Sequence, residues 1–248
     1  MRVHATDFQN DFGKYLSLTA KEDIVILKNG KSVAKLVRYV EPEYLLLHEE
    51  AQEYKRPSRI GYQEYMALIN SSEQRYELID GEVYLMASPT FNHQIVVGEI
   101  AGHFHHYFKG KRCRSLTAPF DVKLFGQATK FEEDSNVVQP DVIVICDTDK
   151  IGEDNKYEGI PTLVVEVLSP STKAKDMVIK LNLYMKSGIR EYWIVDLEKK
   201  SVLQYSFSEE RGIASFNVLK EEDTVQSDVF KNLDIRLSDL FADISPSA

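Results

Sequence analysis

The chain has no apolar run near the ~20 residues that a membrane-spanning helix needs. Its polar start, Met1 to Asn10, has no basic cluster followed by an apolar stretch. Neither a membrane protein nor a secreted one is therefore expected. Cysteine is scarce: Cys113 and Cys146 are isolated, with no C-x-x-C, so the expectation is a cytoplasmic protein with two reduced thiols. Also missing are a phosphate-cradling G-x-x-x-x-G-K, a G-x-G-x-x-G after a strand, a G-x-S-x-G elbow and an H-E-x-x-H. Those gaps set aside the chemistries that each motif serves. No internal repeat or low-complexity segment is present.

Basic charge is in short supply as well. The formal net charge is −9, which is unfavourable for a phosphate-binding surface. Carboxylates gathered around a divalent cation, beside a local basic patch, would reconcile an acidic whole with such a surface. The charge is unevenly placed: residues 1–40 carry seven Lys or Arg against four Asp or Glu, leaving −12 on the remainder. Otherwise the composition is that of a globular protein, 43% hydrophobic and 28% charged. At 248 residues the chain can bury a sizeable core, as one large domain or two modest ones.

The first forty residues read as a β-α-β-β unit. Val3 to Ala5 forms a strand, and Thr6 or Asp7 caps a helix whose Phe8, Phe12, Tyr15 and Leu16 share one face. Asn29-Gly30 is a hairpin signal between Ile24–Leu27 and Val33–Val37, and a second helix spans about Glu43 to Tyr54. KRPSR, residues 55–59, reads as a linker, so residues 1–56 and 57–248 are taken as two domains. In the second, the pattern predicts a helix from Tyr62 to Ile69 and a hairpin from Tyr76 to Met86 around Asp80-Gly81. An amphipathic helix follows from Asn92 to Phe108. Strands are expected at Phe120–Phe125, Asp141–Cys146, Thr162–Leu168, Tyr192–Asp196 and Val202–Phe207. Lys173 to Lys186 is a helix stopped by Gly188, and the tail is β-rich before a short LSDLF. The fold class is α/β (α+β), a mixed sheet flanked by helices.

Two carboxylates are placed oddly. Glu166 sits inside LVVEVL, and Asp141 stands at the mouth of VIVIC behind Pro140. A carboxylate buried there must be paired, protonated or metal-bound. One reading turns Asp141 to solvent and pairs Glu166 with a buried Lys or Arg. The other makes the strands neighbours and converges both carboxylates on one hard cation such as Mg²⁺, which prefers oxygen ligands. His103, His105 and His106 raise a zinc hypothesis that would suit a small-molecule hydrolase, but Glu99, His103 and His106 share the polar side of their helix. A solvated face is the plainer reading.

Several segments resemble the Uma-type restriction-endonuclease-like family, within the PD-(D/E)xK nuclease superfamily, across residues 60–243. They are RYELIDGEVYLMASP, the Asn92-His93 pair, QPDVIVI, PTLVVEVLSPST, the D-x-x-x-K-x-x-x-Y run from Asp176 to Tyr184, and GIREYWIVD. The resemblance implies a restriction-endonuclease-like core and Mg²⁺- or Mn²⁺-dependent DNA cleavage, with Asp141 and Glu166 as metal ligands. The lysine usual two residues after the glutamate is missing, since position 168 is Leu. The resemblance gives that role to Lys180 on the following helix, whose other reading is an exposed pair with Asp176. Glu77 is a candidate accessory carboxylate or a hairpin salt bridge. His93 either points into the site or is a buried, hydrogen-bonded histidine, and Gln139 is a candidate for orienting water.

ATDFQNDFGKYLSLTAKEDIVILKNGKSVAKLV resembles Phd-type (prevent-host-death) antitoxins. The resemblance implies a β-α-β-β-α module that dimerises, binds DNA, or both, with a toxin as a further partner. Arg2, Lys14, Lys28, Lys31 and Lys35 are then phosphate contacts or ordinary surface charges. Two functions follow for the whole chain: a homodimeric metal-dependent DNA endonuclease, or a non-catalytic DNA-binding antitoxin or regulator with an inactive nuclease fold.

Overall fold

The computed structural model describes residues 1–10, 15, 18, 24–28, 31–36, 59–125, 131, 134–169 and 172–244. The chain divides into two compact units, Met1–Lys55 and Arg56–Ala248.

In the first unit, strand β1 (Arg2–His4) leads straight into helix α1 (Ala5–Asn10). Strand β2 (Ile24–Lys28) lies between β1, parallel to it, and β3 (Lys31–Leu36), antiparallel. Alternation along β2 buries Ile24 and Ile26, which join Val3 and Tyr15 in a small core with Phe8 and Leu18 against it. The Asn29-Gly30 turn, Phe12, Lys14, Leu16 and the expected helix from Glu43 to Tyr54 lie outside the described residues.

The second unit opens with helix α2 (Tyr62–Asn70) and the hairpin of β4 (Tyr76–Ile79) and β5 (Glu82–Leu85). Its turn residues Asp80 and Gly81 both have positive φ, 50° and 77°, as a two-residue hairpin turn requires. Gly81 is doubly constrained, because a Cβ there would lie 2.8 Å from Cβ of Arg59. Helix α3 (Phe91–Phe108) follows, capped by Thr90, whose hydroxyl accepts the His93 N–H. Strands β6 (Arg114–Thr117), β7 (Val122–Leu124), β8 (Asn136–Val138), β9 (Val142–Ile145) and β10 (Leu163–Val167) come next.

A π-helical stretch, Lys175–Lys180, runs into helix α4 (Leu181–Ser187). Gly188 ends it in the left-handed region at φ 89°, the expected stop. Strands β11 (Glu191–Asp196), β12 (Ser201–Phe207) and β13 (Ile213–Lys220) precede a ribbon of β14 (Thr224–Gln226) and β15 (Asp234–Arg236), and then helix α5 (Leu237–Leu240).

The main sheet is mixed, in the order β13-β12-β11-β10-β9-β6. The β10–β11 pair is parallel and the others antiparallel. Residues of one parity, among them Val142, Val144, Val165 and Trp193, pack under Val96, Ile100 and Phe104 of α3. Those of the other parity, Ile143, Val164 and Ile194, pack under Leu183 and Tyr184 of α4. Both faces are covered, which is why the central strands read as continuous apolar runs. A second sheet, β5-β4-β8-β7, carries the hairpin alongside. Strands β6 and β8 have no counterpart among the expected elements; both are short and only partly apolar.

The thiol expectation is corrected. Cys113 and Cys146 are joined in a disulfide across 33 residues. Arg114 of β6 pairs with Ile145 of β9, so one step further along the same antiparallel register sets Cys113 opposite Cys146. That proximity depends on strand pairing, and sequence spacing carries no sign of it.

Candidate active site

Asp141 and Glu166 owe their meeting to register. Strands β9 and β10 pair antiparallel, with Val142 opposite Val165. One step beyond that pair, Asp141 stands opposite Glu166 on the same face. The Asp141 carboxylate is held from two sides. Its Oδ2 accepts the Val167 N–H at 2.8 Å and lies 3.2 Å from His93 Nε2. Asp141 is thus not simply turned to solvent: its side chain is 19% exposed, at the mouth of an open cleft of about 360 Å³.

Glu166 lies deeper and is buried. Its Oε1 accepts from Lys180 Nζ at 2.8 Å and from the Tyr184 hydroxyl at 2.7 Å. Burial pushes its pKa up to about 8, with the Lys180 charge opposing and the neighbouring carboxylates assisting. Of the two sequence readings of Glu166, the buried lysine partner is present, and Glu166 also lines the cleft beside Asp141.

Lys180 is not an exposed helix lysine. It is 2% exposed, with Nζ 2.7 Å from Glu77 Oε1 and 3.8 Å from Asp176 Oδ1. Burial works to discharge it, but Glu166, Glu77 and Asp176 outweigh that and hold its pKa well above the usual value. Leu168, at the place usual for the lysine, is buried in the apolar layer under α4.

Glu77 is fully buried and is no hairpin salt bridge. Its Oε1 also accepts the Gln139 N–H at 3.0 Å, and its Oε2 takes Lys175 Nζ at 2.5 Å. Burial would raise its pKa; Lys180 and then Lys175 overcome this and lower it. Sequence reasoning missed Lys175 because a regular helix would turn residues 175 and 180 apart. A π-turn, closed by i→i+5 bonds, stacks residues five apart, and both lysines reach Glu77.

The remaining candidates separate clearly. His93 is buried beside Asp141, and its other nitrogen, Nδ1, has no hydrogen-bond partner among the described residues. Burial opposes protonation of His93, but Asp141 more than compensates and raises its pKa. Gln139 lines the cleft and donates from Nε2 to Asp121 Oδ1 at 2.7 Å. Asp176, unremarked except as a helix partner, is 2% exposed and lines the cleft. Burial raises its pKa against the pull of Lys180. Glu99, His103, His105 and His106 are exposed on α3, away from this cluster. Their exposure is that of the solvated helix face expected of them, and among the described residues no group of three or more His, Cys, Asp or Glu is arranged to hold a metal ion.

The model of the Uma2 family, described as "Putative restriction endonuclease", matches residues 62–238. The chain belongs to the Uma2 family. A relative from Synechocystis, named "Uncharacterized protein slr1290", is 27% identical over 138 residues, 55% of this chain and 68% of its own. The fold is similar to a solved structure from Anabaena variabilis whose title calls it "a putative nuclease belonging to DUF820". That likeness has a TM-score of 0.58 at 21% identity, covering 74% of this chain and 98% of that one. The mixed sheet of this Uma2 member is thus a restriction-endonuclease-like core. The family match begins at residue 62 and leaves the first unit outside it.

Proposed function

We propose that the second unit is a Mg²⁺-dependent DNA endonuclease, Mn²⁺ serving as an alternative ion. The observation that carries this reading is Asp141 opposite Glu166, with Lys180 at 2.8 Å from the latter, at an open cleft. The donor set suits such an ion. Glu77, Asp141, Glu166 and Asp176 gather oxygen donors around Lys175 and Lys180, the ligand type that a hard divalent cation takes. Two carboxylates are enough, because Mg²⁺ keeps several waters and takes further oxygens from substrate phosphates. When bound, the ion supplies Lewis-acid polarisation of a phosphate oxygen and makes water more acidic.

The protein's own groups do the rest. Asp141 and Glu166 hold the ion, and the Val167 N–H and His93 fix the rotamer of Asp141. Lys180 stabilises negative charge growing on the phosphate during in-line hydrolysis. Glu77 is best read as a positioning residue, since both its oxygens are taken by lysines; it aims Lys180 and holds it charged. For the first unit we propose the Phd-like role, dimerisation or DNA contact, with a toxin as a further partner. Arg2 and Lys28 are exposed there. A cytoplasmic location follows from a DNA substrate.

The non-catalytic reading is motivated by the same ion pairs, which tie Lys180 down, and by the net charge of −9. Incubating the protein with supercoiled plasmid and Mg²⁺ separates the two. Nicking by wild type should fall at least a hundredfold in Asp141→Ala and in Glu166→Ala, on the order expected for loss of a group that stabilises the transition state. Equal nicking by wild type and both variants would point to a contaminant and sink the catalytic claim.

A further inference from the structure

We infer that Arg75, together with the first turn of α3, forms a clamp for a backbone phosphate next to the one being cut. This inference rests on the nuclease reading above. Alternation along β4 puts Arg75 on the same face as Glu77 and Ile79, while Tyr76 and Leu78 turn to the separate core under α2. Arg75 thus lines the same cleft as Asp141 and Glu166. Its guanidinium makes no ion pair or hydrogen bond with any described residue. Lys175 and Lys180, by contrast, are bound to carboxylates. Arg75 is half-buried in a cleft lining that also holds Asp141, Glu166 and Asp176, and it is paired with none of them, which leaves its guanidinium for water or a ligand.

A second group points the same way. Helix α3 is 18 residues long and its N-terminal turn, from Thr90 to Gln94, lines the cleft. The positive end of its dipole is therefore directed at the space where an anion would sit. Within that turn His93, 7% exposed, leaves Nδ1 buried and without a partner, while its Nε2 is committed to Asp141. An arginine fork and a helix N-terminus make a set that suits the oxygens of a phosphodiester. These are backbone contacts, which fix register on the nucleic acid without reading its sequence.

The test titrates the full chain with a short DNA duplex in EDTA, so that nothing is cut. The Arg75 side-chain N–H resonance, assigned by its loss in Arg75→Gln, gives the local signal. Fluorescence anisotropy across a salt series gives the affinity. The resonance should move on binding. Arg75→Gln should bind roughly tenfold or more weakly, with a slope of log affinity against log salt shallower by about one, and Arg75→Lys should keep more of both. All variants should melt at the wild-type temperature, since Arg75 has no partner to lose. A bound duplex with an unmoved Arg75 resonance and an unchanged slope in Arg75→Gln would overturn the clamp and leave the nuclease reading intact. A wild type that binds no duplex in EDTA would overturn the clamp as a metal-independent contact, while plasmid nicking with Mg²⁺ decides the nuclease reading separately.

Discussion

Two buried glutamates on neighbouring strands show how differently one side chain can be stabilised. Glu191 pairs with no cation among the described residues; its carboxylate accepts from Trp193 Nε1, Gln204 Nε2, Ser227 Oγ and the backbone N–H groups of Asp228 and Val229. Glu166, on the next strand, has one lysine and one tyrosine hydroxyl, with three further carboxylates in its field. The first is closed to further ligands and the second is open to one. In the proposed site a proton and the metal ion would compete for Glu166. Because its pKa is raised to about 8, Mg²⁺ affinity should climb as pH rises toward that value, by up to roughly tenfold per unit, and level off above it. Calorimetric titration at several pH values checks this; a flat profile would place the ion elsewhere. The sign for the metal-free fold is the reverse. A raised carboxylate contributes its stability fully below the unfolded value, and that contribution is lost as pH rises through about 8.

At the scale of elements, alternation along strands and spacing along helices were legible in the sequence, and pairings between elements were not. Asp141 and Glu166 stood out because one stands at the mouth of an apolar strand and the other inside one. Lys180 was found through its helix and the family resemblance, yet its burial between Glu77 and Glu166 depends on the π-turn, for which no local signal exists. Strand β8, only Asn136–Val138, is too short to announce itself beside a polar stretch. The Cys113–Cys146 bond is the clearest miss, because it follows from the β6–β9 register. Closing a loop across 33 residues is expected to contribute about 3–4 kcal/mol by the chain-entropy estimate. Cys113→Ser should therefore lower the urea midpoint, and reducing agent should do the same to wild type but not to the variant. A reducing cytoplasm would keep these thiols apart, so a thiol titration of protein freshly made in cells reports which form is used there.

For the molecule as a whole, the charge split matters. The acidic remainder of the chain bears −12, whereas residues 1–40 bear +3. The proposed division of labour puts assembly and non-specific DNA attraction in the first unit and chemistry in the second. Removing residues 1–56 should then convert a dimer of 28.4 kDa chains to monomers by light scattering. DNA affinity should fall and depend less on salt, while nicking per chain at saturating plasmid stays within about threefold, a shift of under 1 kcal/mol. A truncated protein that remains dimeric would move the interface into the nuclease unit.

The pairing of Asp141 with Glu166 across two antiparallel strands carries one more consequence. Their separation of 25 positions in the chain is incidental, because most of it is the connection between Cys146 and Thr162, outside both strands. That connection is anchored at Tyr157, which is fully buried and bridged to Val122, so a change in its length has to fall on either side of that anchor. What cannot change is parity: one residue inserted within either strand would swing its carboxylate to the opposite face of the sheet, under α3, where no lysine waits for it. Relatives of this protein are therefore to be sought with an elastic gap between the two carboxylates and a rigid odd-even count on either side of it.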